Sequence, residues 1–132
     1  MLALRSATLA FACILALGAP PAHASDDCAG KVVALADALV HQDFQGATRD
    51  MDGFMKMMMS AEHLSELWNA TLHDAGAYVS RGDAAIVASD KDAVAVRVPL
   101  RFAHGAAALQ AVCKRAEQNH IGSVVLQMQP AG

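Results

Sequence analysis

The sequence predicts an α+β domain in which three N-terminal helices pack on a curved antiparallel sheet of four to five strands. Apolar residues recur every three or four positions between residues 26 and 75, as on one face of a helix. From Tyr78 onward the apolar residues alternate with polar ones, which is the period of a strand with one wet face. Because the helices precede the strands instead of alternating with them, a parallel α/β fold is not expected.

The N-terminal segment is predicted to be a signal peptide covering residues 1–24. Arg5 supplies the positive start, residues 7–19 the apolar stretch, and Ala22-His23-Ala24 a small-x-small cleavage site. A single soluble domain, residues 25–132, is then expected in the periplasm or outside the cell. No later apolar run approaches the roughly 20 residues that span a bilayer, so no membrane contact is expected after cleavage. The formal net charge of −3 excludes a strongly basic nucleic-acid-binding domain.

Three helices are predicted between Asp26 and Ala75. Asp43 and Ser60 are expected to cap the second and third helices at their N-termini, and Gly76 to end the third. Gly46 and Gly53 interrupt the second helix and weaken it. The expected buried stripes are Cys28, Val32, Leu35 and Leu39, then Phe44, Ala47, Met51, Phe54 and Met58, and finally Leu64, Leu67, Trp68 and Leu72.

The strands are predicted from residue 84 to 89, through 94–102, from about 107 to 115 and from 121 to 129. Polar turns at 89–92, at His104-Gly105 and at 117–120 connect them. Pro99 lies inside the longest strand and cannot donate a hydrogen bond, so we expect either a bulge there or an unpaired N–H side, with a bend in the strand.

The mature chain also resembles a known family over most of its length. The marks are Gln42-Asp43-Phe44, the run Leu64-x-x-Leu67-Trp68 with Gly76 behind it, the strand Val96-x-Val98-Pro99 and the terminal Gln129-Pro130. They resemble a small uncharacterised domain that bacteria export alone or place in front of an α/β-hydrolase, and that is itself similar to the nuclear-transport-factor-2-like fold, a cone of three helices against a bent sheet. The resemblance implies the fold but no catalytic residue and no cofactor. The sequence contains no G-x-S-x-G motif, so hydrolysis by a serine nucleophile is not expected.

Tyr78, Asp74 and His73 are the candidate catalytic residues. Some enzymes of the resembled fold move a proton with an Asp or a His and a Tyr inside the cone, and such an acid must be desolvated. The alternative is that Tyr78 packs its ring in the domain and exposes its hydroxyl group.

Five methionines lie between residues 51 and 59, and thioethers are ligands for Cu(I). The candidate metal ligands are Met57, Met59 and His63. We nevertheless expect no metal site, because flexible methionines fill gaps in a core that is poor in aromatic residues. Met57 and Met59 are then expected at a contact surface.

Cys28 and Cys113 are the two cysteines outside the predicted signal peptide. Both are predicted on apolar faces that meet if the helices cover the sheet, so we expect a disulfide between them, which suits an exported protein. The alternative is two buried free thiols that lie too far apart to bond.

The leading hypothesis for function is an exported non-catalytic module that binds a small apolar ligand or a protein partner, as a homodimer formed through the sheet. An isomerase or dehydratase with a polar cluster in the cone is the first alternative. A methionine-based copper carrier is the second.

Overall fold

The computed structural model describes residues 23–129, with side chains from residue 27 onward, and this part of the chain is α+β as predicted. Four helices precede five strands of one antiparallel sheet. The helices are α1 (His23–Val40), α2 (Phe44–Ala47), α3 (Gly53–Met58) and α4 (Ala61–Ala75); the strands are β1 (Tyr78–Arg81), β2 (Ala85–Ser89), β3 (Ala93–Phe102), β4 (Gly105–Lys114) and β5 (His120–Gln129). The predicted signal peptide lies outside the described residues except for its last two positions, which begin α1, and so does Pro130. None of the described helices is long and apolar enough to cross a membrane.

The sheet is built around β3, which pairs with β4 along its whole length. On its other side β3 pairs with two short strands in succession, β1 and β2. The strand β5 pairs with β4 and forms the opposite edge. One face of this sheet carries the side chains of the hydrophobic core, which are Val94, Val96, Val98, Leu100 and Phe102 of β3, Ala107, Leu109, Ala111 and Cys113 of β4, and Ile121 and Val124 of β5. The helices cover that face.

Pro99 takes the second of the two predicted arrangements. It lies opposite Ala108 with no break in the register between β3 and β4. Its carbonyl oxygen, on the other side, accepts a hydrogen bond from Gly82 at 2.9 Å. The N–H that proline lacks would point to the same side, where pairing with β1 ends at Leu100 and pairing with β2 begins at Arg97. The strand therefore has no bulge at Pro99, because no ladder hydrogen bond is required there.

The predicted second helix is wrong as a continuous element. Its span contains α2 and α3 with a turn over residues 48–50 between them, after which Met51 forms a parallel bridge to Ile121. Asp50 accepts a hydrogen bond from the Ile121 N–H at 2.7 Å, and the Asp52 N–H donates to the Ile121 carbonyl at 2.9 Å. These backbone bonds to the edge of the sheet replace the helical bonds that the residues would otherwise make. The predicted buried stripe is correspondingly wrong at Phe54 and Met58, which are both exposed.

The third predicted helix is confirmed as α4. Ser60 caps it by accepting a hydrogen bond from the His63 N–H at 3.2 Å, and Gly76 ends it with a φ of 85°, a conformation that favours glycine. Trp68 is 2% exposed, and its ring centroid lies 5.7 Å from that of Phe102. Helix α4 therefore contributes a large aromatic anchor to the core.

Helix α1 is fastened to the sheet by a covalent bond and by its charged residues. Cys28 and Cys113 form the expected disulfide with a Cα–Cα distance of 5.9 Å, and both residues are fully buried. Lys31 lies one turn further along and donates to the carbonyl oxygens of Gln118 and Asn119 at 2.8 and 3.2 Å. At the other end of α1, Asp37 holds Arg81 of β1 at 2.7 Å. These contacts fix α1 across the sheet at three points.

Replacing Trp68 by Ala is expected to lower the free energy of unfolding by about 3–5 kcal/mol, because the lost ring leaves a cavity between α4 and β3. Denaturant melts measure this cost. The matched control is Phe54→Ala, which removes an exposed ring and is expected to cost less than about 1 kcal/mol. Equal costs for the two variants would contradict the placement of Trp68.

Alkylating residues 25–132, unfolded and unreduced, is expected to add no mass, because both thiols of this part of the chain are in the disulfide. Two alkyl groups per chain would contradict the bond. The loop between the cysteines spans 85 residues, so replacing both by Ala is expected to cost up to roughly 4.5 kcal/mol in the loop-entropy model. Amide hydrogen exchange after reduction is expected to accelerate in α1 before it does so in β3 and β4, because the bond fixes the helix to the sheet.

Candidate functional site

Helix α3 presents apolar side chains to solvent. Phe54, Met57 and Met58 are spaced by three and four residues, which places them on one side of the helix, and they are 64%, 82% and 59% exposed. We call these three side chains the α3 surface. Methionine and aromatic side chains are enriched in protein interfaces, and adjacent exposed apolar groups of this size often mark a binding site.

The opposite side of α3 is anchored in the core. Met55 is buried within the helix, and Met51 is buried just before it. The side chain of Asp52 caps α3 by accepting a hydrogen bond from the Met55 N–H at 2.7 Å. Its second carboxylate oxygen lies 3.0 Å from the Lys114 ammonium group of β4. The α3 surface is therefore held on a short but fixed helix.

The electrostatics of Asp52 support this anchoring. The hydrogen bond from Met55 and the nearby Lys114 ammonium hold the pKa of Asp52 below its ordinary value of 3.8, against the effect of burial, which raises it. The hydrogen bond between the Asp52 carboxylate and the Lys114 ammonium group also raises the pKa of Lys114. Gly122 leaves room for this pair, since a Cβ atom there would meet the Lys114 side chain and the Asp52 carboxylate.

A cleft of about 400 Å³ lies between α1, α2 and the start of β5. Its walls carry charges of both signs, and some of these are already satisfied within the protein: Asp37 binds Arg81 and Lys31 binds backbone carbonyls. Apolar side chains form nearly half of the lining. The cleft residues are Lys31, Ala34, Leu35, Asp37, Ala38, His41, Asp43, Gly46, Ala47, Arg49, Asp50 and Ile121.

The three candidate catalytic residues differ in their surroundings. The ring of Tyr78 is partly buried and packs against Trp68 and Phe102, with centroids 6.3 and 6.1 Å away. His73 and Asp74 are exposed near the C-terminal end of α4. Among the described side chains, no hydrogen bond joins these three.

In the described part of the chain, the buried polar side chains have hydrogen-bond partners, except that the Asn119 Oδ1 atom accepts no hydrogen bond. Asp52 binds Met55 and Lys114, and the Thr71 hydroxyl donates to the Leu67 carbonyl at 2.9 Å. A desolvated acid or base without a partner, which a proton-transfer site would use, is not found among residues 27–129.

The candidate copper ligands lie around the connection between α3 and α4. Met57 is exposed, Met59 ends α3 and is partly buried, and His63 is exposed in the first turn of α4. Residues 27–129 also contain no group of three or more His, Cys, Asp or Glu side chains arranged to hold a metal ion.

Sequence reasoning did not identify Asp52. The residue precedes Gly53, and an Asp in that position is a common helix N-cap, so capping preference was a signal for a helix starting at residue 53. No local pattern in the sequence indicates the ion pair between Asp52 and Lys114, because the two residues lie 62 positions apart.

Replacing Asp52 by Ala is expected to cost about 1–2 kcal/mol at neutral pH, because α3 loses its cap. Asp52→Asn keeps an acceptor for Met55 and removes the charge beside Lys114, so it is expected to cost less. Denaturant melts check both, with the exposed Asp74→Ala as the control, expected to stay within about 0.5 kcal/mol of wild type.

The contribution of Asp52 is also expected to depend on pH. Since its pKa is lower in the folded than in the unfolded state, the stabilisation is complete above about pH 4 and is lost as the pH falls below that value. The difference in stability between wild type and Asp52→Asn should therefore shrink on acidification. A difference that is constant between neutral pH and about pH 3 would contradict the charge effect.

A family model matches most of the domain. Residues 33–123, from α1 to β5, match the family described as "Protein of unknown function (DUF3887)". No curated protein shows significant similarity to the chain. No solved structure does so either. Because the match covers more than half of the sequence, the chain belongs to the DUF3887 family of proteins of unknown function.

Proposed function

We propose that the protein is an exported, non-catalytic module that binds a protein partner through the α3 surface. The observation that carries this proposal is the exposure of Phe54, Met57 and Met58 on one side of a helix whose other side is fixed in the core. Burying three large apolar side chains on association is favourable, and a rigid helix loses little conformational entropy when it binds.

A protein partner fits these residues better than a small apolar ligand does. The space between the helices and the sheet, where a cone would hold a ligand, is occupied by Trp68, Met51 and Leu64, each 2% exposed or less. The cleft beside α1 is lined by polar and apolar groups in nearly equal parts, whereas such ligands favour walls that are mostly apolar. Three large apolar side chains lie together in solvent on α3 instead.

Export is supported by the Cys28–Cys113 disulfide, since disulfides persist in oxidising compartments. The proposal includes the signal peptide over residues 1–24, a cone of the nuclear-transport-factor-2-like type, and kinship with domains that precede α/β-hydrolases. The packing of Tyr78 in the aromatic cluster supports a structural role for this residue in preference to proton transfer.

The test is photo-crosslinking in the host. A photoreactive amino acid at Met57 is expected to give a covalent conjugate with a different polypeptide, and the same label at Glu66, exposed on α4, serves as the control. In the presence of Phe54→Ser and Met58→Ser, the conjugate is expected to fall by about tenfold or more, as the loss of roughly 1.4 kcal/mol of binding free energy would give.

The variants are expected to fold normally because the replaced side chains are exposed. Equal crosslinking from residues 57 and 66, no conjugate at all, or a conjugate only with a second copy of the chain would contradict the proposal.

A further inference from the structure

The two edges of the sheet differ in how they are protected. At one edge, β1 and β2 contain four and five residues, and each has a register shift against β3. Val79 and Val87 are the extra residues at these shifts, the charged Arg81 ends β1, and Asp83 lies between the two strands. Short strands, bulges and charges are the usual means by which an edge avoids pairing with another chain.

The other edge, β5, lacks these features over most of its length. The segment around Met51 covers it only at Ile121, and the register shift of β5 lies nearby, at Gly122. From residue 123 to 129, nothing in the described part of the chain pairs with its outer side. Residues 121–129 contain no charged side chain, and Val125 and Met128 are 53% and 40% exposed. Such a strand presents unpaired N–H and C=O groups beside apolar side chains.

We propose that this edge pairs with β5 of a second copy of the chain, antiparallel about a two-fold axis. The absence of charge is the reason for choosing a second copy as the occupant. A strand that pairs with itself places equivalent residues close together at the axis, and opposed like charges there would be repulsive. Residues 123–129 carry none.

The geometry of such a dimer follows from the sheet. A two-fold axis perpendicular to the sheet reverses the strand direction and keeps each face on its own side. The helices of both copies then cover one face of a continuous antiparallel sheet, and the outer faces, with Arg97 and Arg101, form the other. This interface is separate from the α3 surface, so it goes beyond the proposed function and stands or falls independently of it.

The first test is the oligomeric state of the exported protein by sedimentation and native mass spectrometry. A dimer is expected for wild type. Val125→Lys is expected to raise the dimer dissociation constant by about tenfold or more, because two lysines meet near the axis. The matched control is Val87→Lys at the protected edge, where the valine is 48% exposed, and this variant is expected to dimerise like wild type.

A third variant separates edge pairing from a dimer formed face to face. Gln110 is exposed on the outer face of β4, opposite Val125 in the register. Gln110→Lys is expected to leave an edge-paired dimer intact, whereas it would weaken a dimer in which the outer faces stack.

Amide hydrogen exchange provides the second measurement, which does not require a variant to fold. On dilution to the monomer, amides of residues 123–129 are expected to exchange faster, while those of β3 do not change. A wild-type monomer, a dimer unaffected by Val125→Lys, exchange in β5 that does not depend on concentration, or a different polypeptide paired with β5 would each overturn the proposal.

Discussion

The contact between α1 and the middle of the sheet is the constraint on which the rest of the structure depends. The buried face of β3 and β4 is almost wholly aliphatic, and it is stable only when another apolar surface removes it from water. Helix α1 supplies that surface with Cys28, Val32, Leu35 and Leu39, each 2% exposed or less. The disulfide to Cys113 makes this contact covalent. With α1 in place, the remaining helices only have to fill the two ends of the same layer.

The two ends are filled in different ways. At one end, helix α4 brings Trp68 against Phe102 and Tyr78, and the three rings pack together. At the other end, the chain from Asp43 to Met59 forms two short helices with a turn between them, and polar contacts hold it in place. Asp52 joins three elements at once, since its backbone bonds to β5, its carboxylate caps α3 and its charge pairs with Lys114 of β4.

This second mode of attachment explains why apolar side chains are left in solvent. A helix of six residues has one side to bury, and the core already takes Met51 and Met55 there. Phe54, Met57 and Met58 are then exposed to solvent because no further part of the described chain covers them.

The charged residues are divided unequally between the helices and the sheet. Nine acidic and three basic residues lie between 23 and 75, against four acidic and six basic residues between 78 and 129. A surface that joins both layers therefore meets both signs of charge, as the cleft beside α1 does.

The sequence by itself determined the elements whose periodicity is strong and local. The stripe of α1, the helix α4 between Ser60 and Gly76, and the alternation of β3 to β5 with their turns follow from the spacing of apolar residues and from caps, which depend on neighbours a few positions away. The disulfide could also be predicted from the sequence, because the two predicted apolar faces that carry the cysteines had to meet.

Tertiary structure alone decided the conformation of the region from Asp43 to Met59. A methionine-rich pattern there fits a helix, but the edge of β5 offered Asp50 and Asp52 backbone partners at Ile121, and the glycines at 46 and 53 made the helix weak enough to break. For the same reason the candidate site could not be predicted in full: its residues were visible as a methionine cluster, but which of them are exposed depends on contacts with β4 and β5 more than 60 residues away.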